Sequence, residues 1–124
     1  MSKGKILVVD DEPDISNLIK FTLERRGYKI ILAKNGQDAM NIAKKEQPKL
    51  ILLDVIMPVI NGYEVCRLLK ECAETKDIPV IMLSGKTQKT EIEHGLKVGA
   101  NNYICKPFSP KEFANTIEEI FSKN

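Results

Sequence analysis

The sequence has little of what several specialised protein classes require. Its longest apolar runs are strand-sized, so none can span a bilayer. The formal net charge is only +2, too small a surplus to argue for nucleic acid or a membrane surface. No basic run is interleaved with aromatics, as a binder of single strands would need. The three cysteines, Cys66, Cys72 and Cys105, are odd in number and lack a metal-ligand spacing. They read as reduced core or near-surface thiols of a cytosolic protein. The amino terminus, Met-Ser-Lys-Gly-Lys, runs straight into a strand, and no signal peptide is visible. No linker, repeat or low-complexity stretch interrupts the 124 residues, which are expected to form one domain over 1–124 with one core.

What is present is an alternation of buried strands and amphipathic helices. Lys5-Ile6-Leu7-Val8-Val9 reads as a strand that stops at Asp10-Asp11-Glu12. Pro13 suits the first turn of a helix, whose face holds Ile15, Leu18, Ile19, Thr22 and Leu23 and which ends at Gly27. A second strand is predicted over 29–33. Asn35 then caps a helix that buries Ala39, Met40 and Ala43. Leu50-Ile51-Leu52-Leu53-Asp54 has the continuous apolar character of a strand covered on both faces. Asn61 caps a third helix with Val65, Leu68, Leu69 and Cys72 inward. Ile78 to Leu83 is the predicted fourth strand. A fourth helix is expected to begin between Thr87 and Thr90 and to close at Gly99. Asn102 to Cys105 is the fifth strand, and Ser109-Pro110-Lys111-Glu112 is a capping box for a last helix striped by Phe113, Ile117, Ile120 and Phe121. Five strands alternating with five helices predict an α/β fold with a doubly wound parallel sheet and helices on both faces.

In such a sheet all strands end at one edge, where open α/β folds bind ligands. That edge collects Asp10 and Asp11, Asp54, Ser84 and Lys106. Taken singly these have plainer explanations: Asp54 as a strand-terminating cap, Asp10-Asp11 as a helix start, Ser84 as a loop serine. Together they make three carboxylates whose mutual repulsion is several kcal/mol at an effective dielectric of about 20, offset by a cation. Hard oxygen ligands suit Mg²⁺ or Mn²⁺. A carboxylate beside such a metal is able to act as a nucleophile and form an aspartyl-phosphate. The phosphoryl oxygens then call for a metal, an ammonium and a hydroxyl, and the edge supplies each.

Val9-Asp10-Asp11-Glu12, Leu53-Asp54-Val55-Ile56-Met57-Pro58, Asn61-Gly62, Leu83-Ser84-Gly85, Gly99-Ala100 and Tyr103-Ile104-Cys105-Lys106-Pro107-Phe108 resemble, in order and spacing, the receiver domain of two-component response regulators. The resemblance implies the flavodoxin-like (βα)5 fold with strand order 2-1-3-4-5 and a single-domain type without an output domain. It makes Asp54 the phosphoacceptor, Asp11 the direct carboxylate ligand of Mg²⁺ and Asp10 one acting through water. The carbonyl of Ile56 matches a backbone ligand. Ser84 and Lys106 meet the phosphoryl group, and Tyr103 is the switch aromatic that follows Ser84. Phosphorylation adds roughly −1.5 to −2 charge and biases the face of fourth helix, fifth strand and fifth helix between two states. The implied partner is a histidine kinase or a histidine phosphotransfer protein, meeting Leu18, Phe21, Pro107 and Phe108; the implied setting is the cytoplasm, with no direct nucleic-acid or membrane contact. The protein would not be an enzyme beyond self-catalysed phosphotransfer and slow autodephosphorylation.

Departures from the family pattern carry their own expectations. Ile56 and Lys86 stand at the two positions that flank the path of the hydrolytic water, and Ile56 is unable to orient one; a long-lived aspartyl-phosphate follows. Gly85 loosens the Ser84 loop. Ile92, Asn101 and Thr116 lack charges used by dimers of this family, which leaves a monomer or a weak phosphorylation-dependent dimer. His94, the only histidine, reads as a solvated surface residue. A haloacid-dehalogenase-type phosphatase would need an acid at Ile56. An FMN module would not place Asp10, Asp11 and Glu12 in its phosphate loop, and a degenerate receiver would lack one of the site residues. Relay and direct output remain open, as does a receiver that is part of a longer regulator.

Overall fold

In the computed structural model, residues 3–55, 61–84, 97, 99–105 and 109–123 are described, with the backbone alone at 84, 105 and 123. Five parallel strands, β1 (Lys5–Val9), β2 (Lys29–Ala33), β3 (Leu50–Asp54), β4 (Val80–Ser84) and β5 (Asn102–Cys105), form one sheet in the order β2-β1-β3-β4-β5. The described helices are α1 (Pro13–Glu24), α2 (Gly36–Glu46), α3 (Gly62–Glu71) and α4 (Pro110–Lys123). The expected order 2-1-3-4-5 is therefore the observed one. The helix expected between Thr87 and Gly99 falls outside the described residues, save for its end.

Alternation along each strand divides the core in two. Leu7, Val9, Ile51, Leu53, Val80 and Met82 pack against α2 and α3 through Ala39, Ala43, Val65, Cys66 and Leu69. Ile6, Val8, Leu50, Leu52, Ile81 and Leu83 pack against α1 and α4 through Ile19, Leu23, Phe113, Ala114 and Ile117. Strand β3 has every residue buried, as its unbroken aliphatic run requires of a strand covered on both sides.

Helix starts follow local chemistry. The Asn35 side chain accepts from the Asp38 amide at 2.9 Å, and Asn61 accepts from the Glu64 amide at 3.0 Å, each satisfying an N–H that the first turn leaves over. Ser109 Oγ accepts from the Glu112 amide at 3.4 Å. Helix α2 ends at Gln47, a non-glycine residue at φ 47°. Its side-chain amide donates to the carbonyls of Ala43, Lys44 and Glu74, so a costly backbone conformation is held by three bonds.

Three expectations need correction. The fourth strand starts at Val80 and includes Ser84; Ile78 and Pro79 precede it. The inner face of α3 contains Cys66 along with Val65 and Leu69, all fully buried, while Leu68 is half-buried and Cys72 follows the last turn. Helix α1 buries Ser16, Ile19 and Leu23, and Leu18 stands outside that stripe. The Ser16 hydroxyl turns back onto the carbonyls of Glu12 and Pro13, which lets a polar residue lie inward without an unmet bond.

Candidate functional site

The ends of β1, β3 and β4 lie side by side. Val9 pairs with Leu53, Asp54 with Leu83, and Ser84 with Cys105. Asp10 follows directly on β1, where its amide donates to the Ala33 carbonyl at 3.2 Å. Asp54 closes β3, and the next amide, that of Val55, donates to the Leu83 carbonyl at 3.0 Å. Two carboxylates are thereby held at one sheet edge by ladder bonds. Both are almost wholly buried, Asp10 at 2% exposure and Asp54 at 3%.

The structure joins these two to a residue that the sequence did not single out. Carboxylate oxygens of Asp10, Glu12 and Asp54 all lie within 4.8 Å of one another. Glu12 is exposed, and its amide donates to Asp10 Oδ1 at 2.9 Å. Asp11 is exposed and outside this group of three; it lines, with Asp10, Asn17 and Lys34, a cleft of about 360 Å³ beside α1. Each pair of charges at such a separation repels by about 3 kcal/mol at an effective dielectric of about 20. An all-oxygen donor set with that surplus of negative charge can hold a metal ion, and it fits hard cations rather than soft ones. A larger cleft, about 770 Å³, lies among Gln47, Lys49, Glu74, Asp77 and Phe121 at the edge where the strands begin. It contains none of the candidate site residues.

The backbone behind Asp54 is set by α3. The Gly62 amide donates to the Val55 carbonyl at 2.7 Å. A Cβ on Gly62 would fall on the Asp54 carbonyl oxygen and come within 2.8 Å of Val55 Cα. Glycine is needed here for close approach and not for an unusual dihedral angle. The Asn61-Gly62 pair thus combines a helix cap with a steric allowance for the strand end.

Tyr103 is half-buried against the α2–α3 side of the core. Ser84 occupies the last position of β4, where its backbone reaches the same edge as Asp54. Ile56, Lys86, His94, Lys106, Pro107 and Phe108 lie outside the described residues. Leu18 and Phe21 are 39% and 60% exposed, with the Arg25 guanidinium 5.4 Å from the Phe21 ring centre. Cys66 and Cys72 are free thiols. Burial pushes the Cys66 thiol up to about 11, so it is protonated at neutral pH, which argues against a reactive role.

Comparison with known proteins agrees with this geometry. The family model described as the response regulator receiver domain matches residues 6–118. The chain is 41% identical over 123 residues to the probable transcriptional regulator ycf27 of Porphyridium aerugineum, covering 99% of this chain and 50% of that protein. It is 41% identical over 120 residues to the alkaline phosphatase synthesis transcriptional regulatory protein PhoP of Bacillus subtilis, covering 97% and 49%. The chain therefore spans about half the length of these curated relatives. Among solved structures, the chemotaxis protein CheY4 of Vibrio cholerae superposes with a TM-score of 0.89 at 32% identity, over 97% of this chain and 98% of that one. The BeF3-activated DrrB receiver domain does so with a TM-score of 0.86 at 30% identity, over the full length of both. Fold, edge carboxylates and sequence match converge: the chain belongs to the response regulator receiver domain family of two-component signalling.

Proposed function

We propose that Asp54 accepts a phosphoryl group from a histidine kinase or a histidine phosphotransfer protein, in the cytoplasm, in a transfer that requires Mg²⁺. The observation that carries this reading is the buried Asp54 carboxylate at the sheet edge, within 4.8 Å of Asp10 and Glu12. A carboxylate oxygen of Asp54 attacks phosphorus, the P–N bond of the phosphohistidine breaks, and the imidazole leaves with its electron pair and takes up a proton. The chain's part is to hold the nucleophile at a fixed point: β3 is bonded on both sides, and Gly62 closes from behind. Asp10, Asp11, Asp54 and the Ile56 carbonyl are the proposed holders of the metal, with Mn²⁺ able to replace Mg²⁺. When bound, the metal offsets charge on the phosphoryl oxygens. Ser84 and Lys106 receive the remaining oxygens, and Tyr103 follows Ser84 in the switch.

Leu18 and Phe21, with Pro107 and Phe108, form the surface for the phosphodonor; the exposure of two large apolar side chains on α1 supports it. Ile56 and Lys86 set the lifetime of the acyl phosphate. The signal leaves either through a changed face next to β5 and α4 or by onward transfer to another histidine. A second reading is favoured by the relatives' lengths: the chain acts as the receiver half of a longer transcriptional regulator, as the names of those relatives suggest.

The test is incubation with acetyl phosphate, with and without Mg²⁺, followed by intact mass measurement. A phosphate-sized gain that needs Mg²⁺ and is lost in Asp54→Ala is the expected result. No gain in the parent chain overturns the proposal.

A further inference from the structure

The acidic run after β1 has three members, Asp10, Asp11 and Glu12, and Glu12 has no part in the metal site proposed for the other two. Glu12 stands at the N-cap position of α1, with an extended backbone at φ −94° and ψ 107°. Side chains at that position commonly accept a bond from the helix's first turn, yet Glu12 makes no such cap. Its carboxylate instead lies with those of Asp10 and Asp54. The main chain at Glu12 is tied to Asp10 Oδ1 at 2.9 Å, which fixes the root of the side chain beside the site. Asp10 and Asp54 are buried, whereas Glu12 is exposed. Two of the three acids are thus fixed by the sheet. The third hangs on a longer, exposed arm.

We propose that Glu12 is a third carboxylate arm of the divalent-cation site and raises its affinity by direct approach to the ion. This rests on the reading of Asp54 as a metal-dependent phosphoacceptor. Affinity of oxygen sites for Mg²⁺ and Ca²⁺ is set by ligand charge and ligand number. An arm that enters from solvent adds both and leaves the buried pair undisturbed. Reach matters as well as charge. Glutamate has one more methylene than aspartate, and residue 12 is rooted outside the sheet edge.

The experiment is calorimetric titration of MgCl2 into the parent chain, Glu12→Gln and Glu12→Asp, each previously stripped with EDTA. Both variants are expected to bind Mg²⁺ roughly tenfold more weakly, the first for lack of charge and the second for lack of reach. Their melting temperatures in EDTA are expected to be no lower than the parent's, because Glu12 does not cap α1 and the loss of its charge in Glu12→Gln relieves repulsion from Asp10 and Asp54. Parental affinity in Glu12→Gln overturns the proposal, and so does full affinity in Glu12→Asp, which would reduce the role of Glu12 to a general field. A lowered melting temperature in EDTA overturns it too, by assigning the loss to the start of α1. A parent chain without saturable Mg²⁺ binding overturns the phosphoacceptor reading itself.

Discussion

Lys70 Nζ donates to Asn101 Oδ1 at 3.0 Å, and that same oxygen accepts the Val80 amide at 2.9 Å. The ammonium also donates to the Ile78 carbonyl at 2.8 Å. One side chain of α3 is thereby bonded to the entry of β4 and to the turn before β5. Its stem leaves no room at residue 99, where a Cβ would meet Lys70 Cγ at 2.8 Å and where φ is +107°. Asn101→Ala removes the acceptor for two donors and is expected to destabilise by about 1–2 kcal/mol. Asn101→Asp keeps the acceptor, gains a charge partner, and is expected to stay within about 1 kcal/mol of the parent. Urea midpoints at constant slope distinguish the two.

Gly62→Ala is expected to destabilise by about 2 kcal/mol or more, because the added methyl meets backbone rather than a side chain that can turn away. It should also slow labelling by acetyl phosphate more than the stability loss explains, since the backbone displaced is that of Asp54. Normal labelling in a variant that is folded by circular dichroism would count against this steric link.

Cys66 predicts a loss of stability in alkali. Burial raises its thiol from 9.0 to about 11, so the folded state holds its proton where the unfolded chain has released it. Stability that is complete below pH 9 is therefore lost as pH rises toward 11, by about 2–3 kcal/mol across that window. Lys70 works in the other direction. Its pKa is lowered, chiefly by desolvation, so its own contribution grows as pH passes upward through the depressed value. The measurement is denaturant unfolding from pH 8 to 11 in the parent and in Cys66→Ala. The variant should show a flatter decline whatever its absolute stability.

For Ile56→Asn the expectation is faster decay of the acyl phosphate, because an amide is able to orient the attacking water and a branched alkyl group is not. The decay of the phosphate-sized mass gain after removal of the donor measures it. Equal lifetimes would sink the idea.

Phe21→Ala is expected to slow phosphotransfer from the cognate kinase about tenfold, the loss typical of an exposed aromatic anchor. Labelling by acetyl phosphate should not change, and stability should stay within about 0.5 kcal/mol, because Phe21 is 60% exposed. Unchanged kinase transfer would remove α1 from the partner surface.

Much of the architecture was legible because its determinants are local. The aliphatic run of β3, the bounds of β2 and β5, and the caps at Asn35 and Asn61 all follow from side chains within a few residues. The start of β4 differs from the pattern because Ile78 is apolar and buried yet lies before the ladder, its amide donating to the Thr75 carbonyl. Cys66, expected as a core or near-surface thiol, is fully buried on the inner face of α3, where it packs as a small apolar side chain. In the site, Asp10 and Asp54 were visible as carboxylates at strand ends. The approach of Glu12 to them was not: Asp11 and Glu12 are adjacent acids, and the turn into α1 brings the Glu12 carboxylate within 4.8 Å of the other two. The steric reason for Gly62 was equally hidden, since it depends on a strand end eight residues earlier.

The central position of β3 has one more consequence. Its neighbours β1 and β4 are themselves flanked by β2 and β5, and both of its faces are covered. Amides in such a strand exchange with solvent only in the least frequent openings of the molecule, while surface segments open readily. The Asp54 carboxylate, the proposed acceptor, is thus attached to the part of the chain that breathes least. Its modification and removal would be chemical events on a backbone that stays closed, and hydrogen exchange along β3 should remain slow through repeated cycles of labelling.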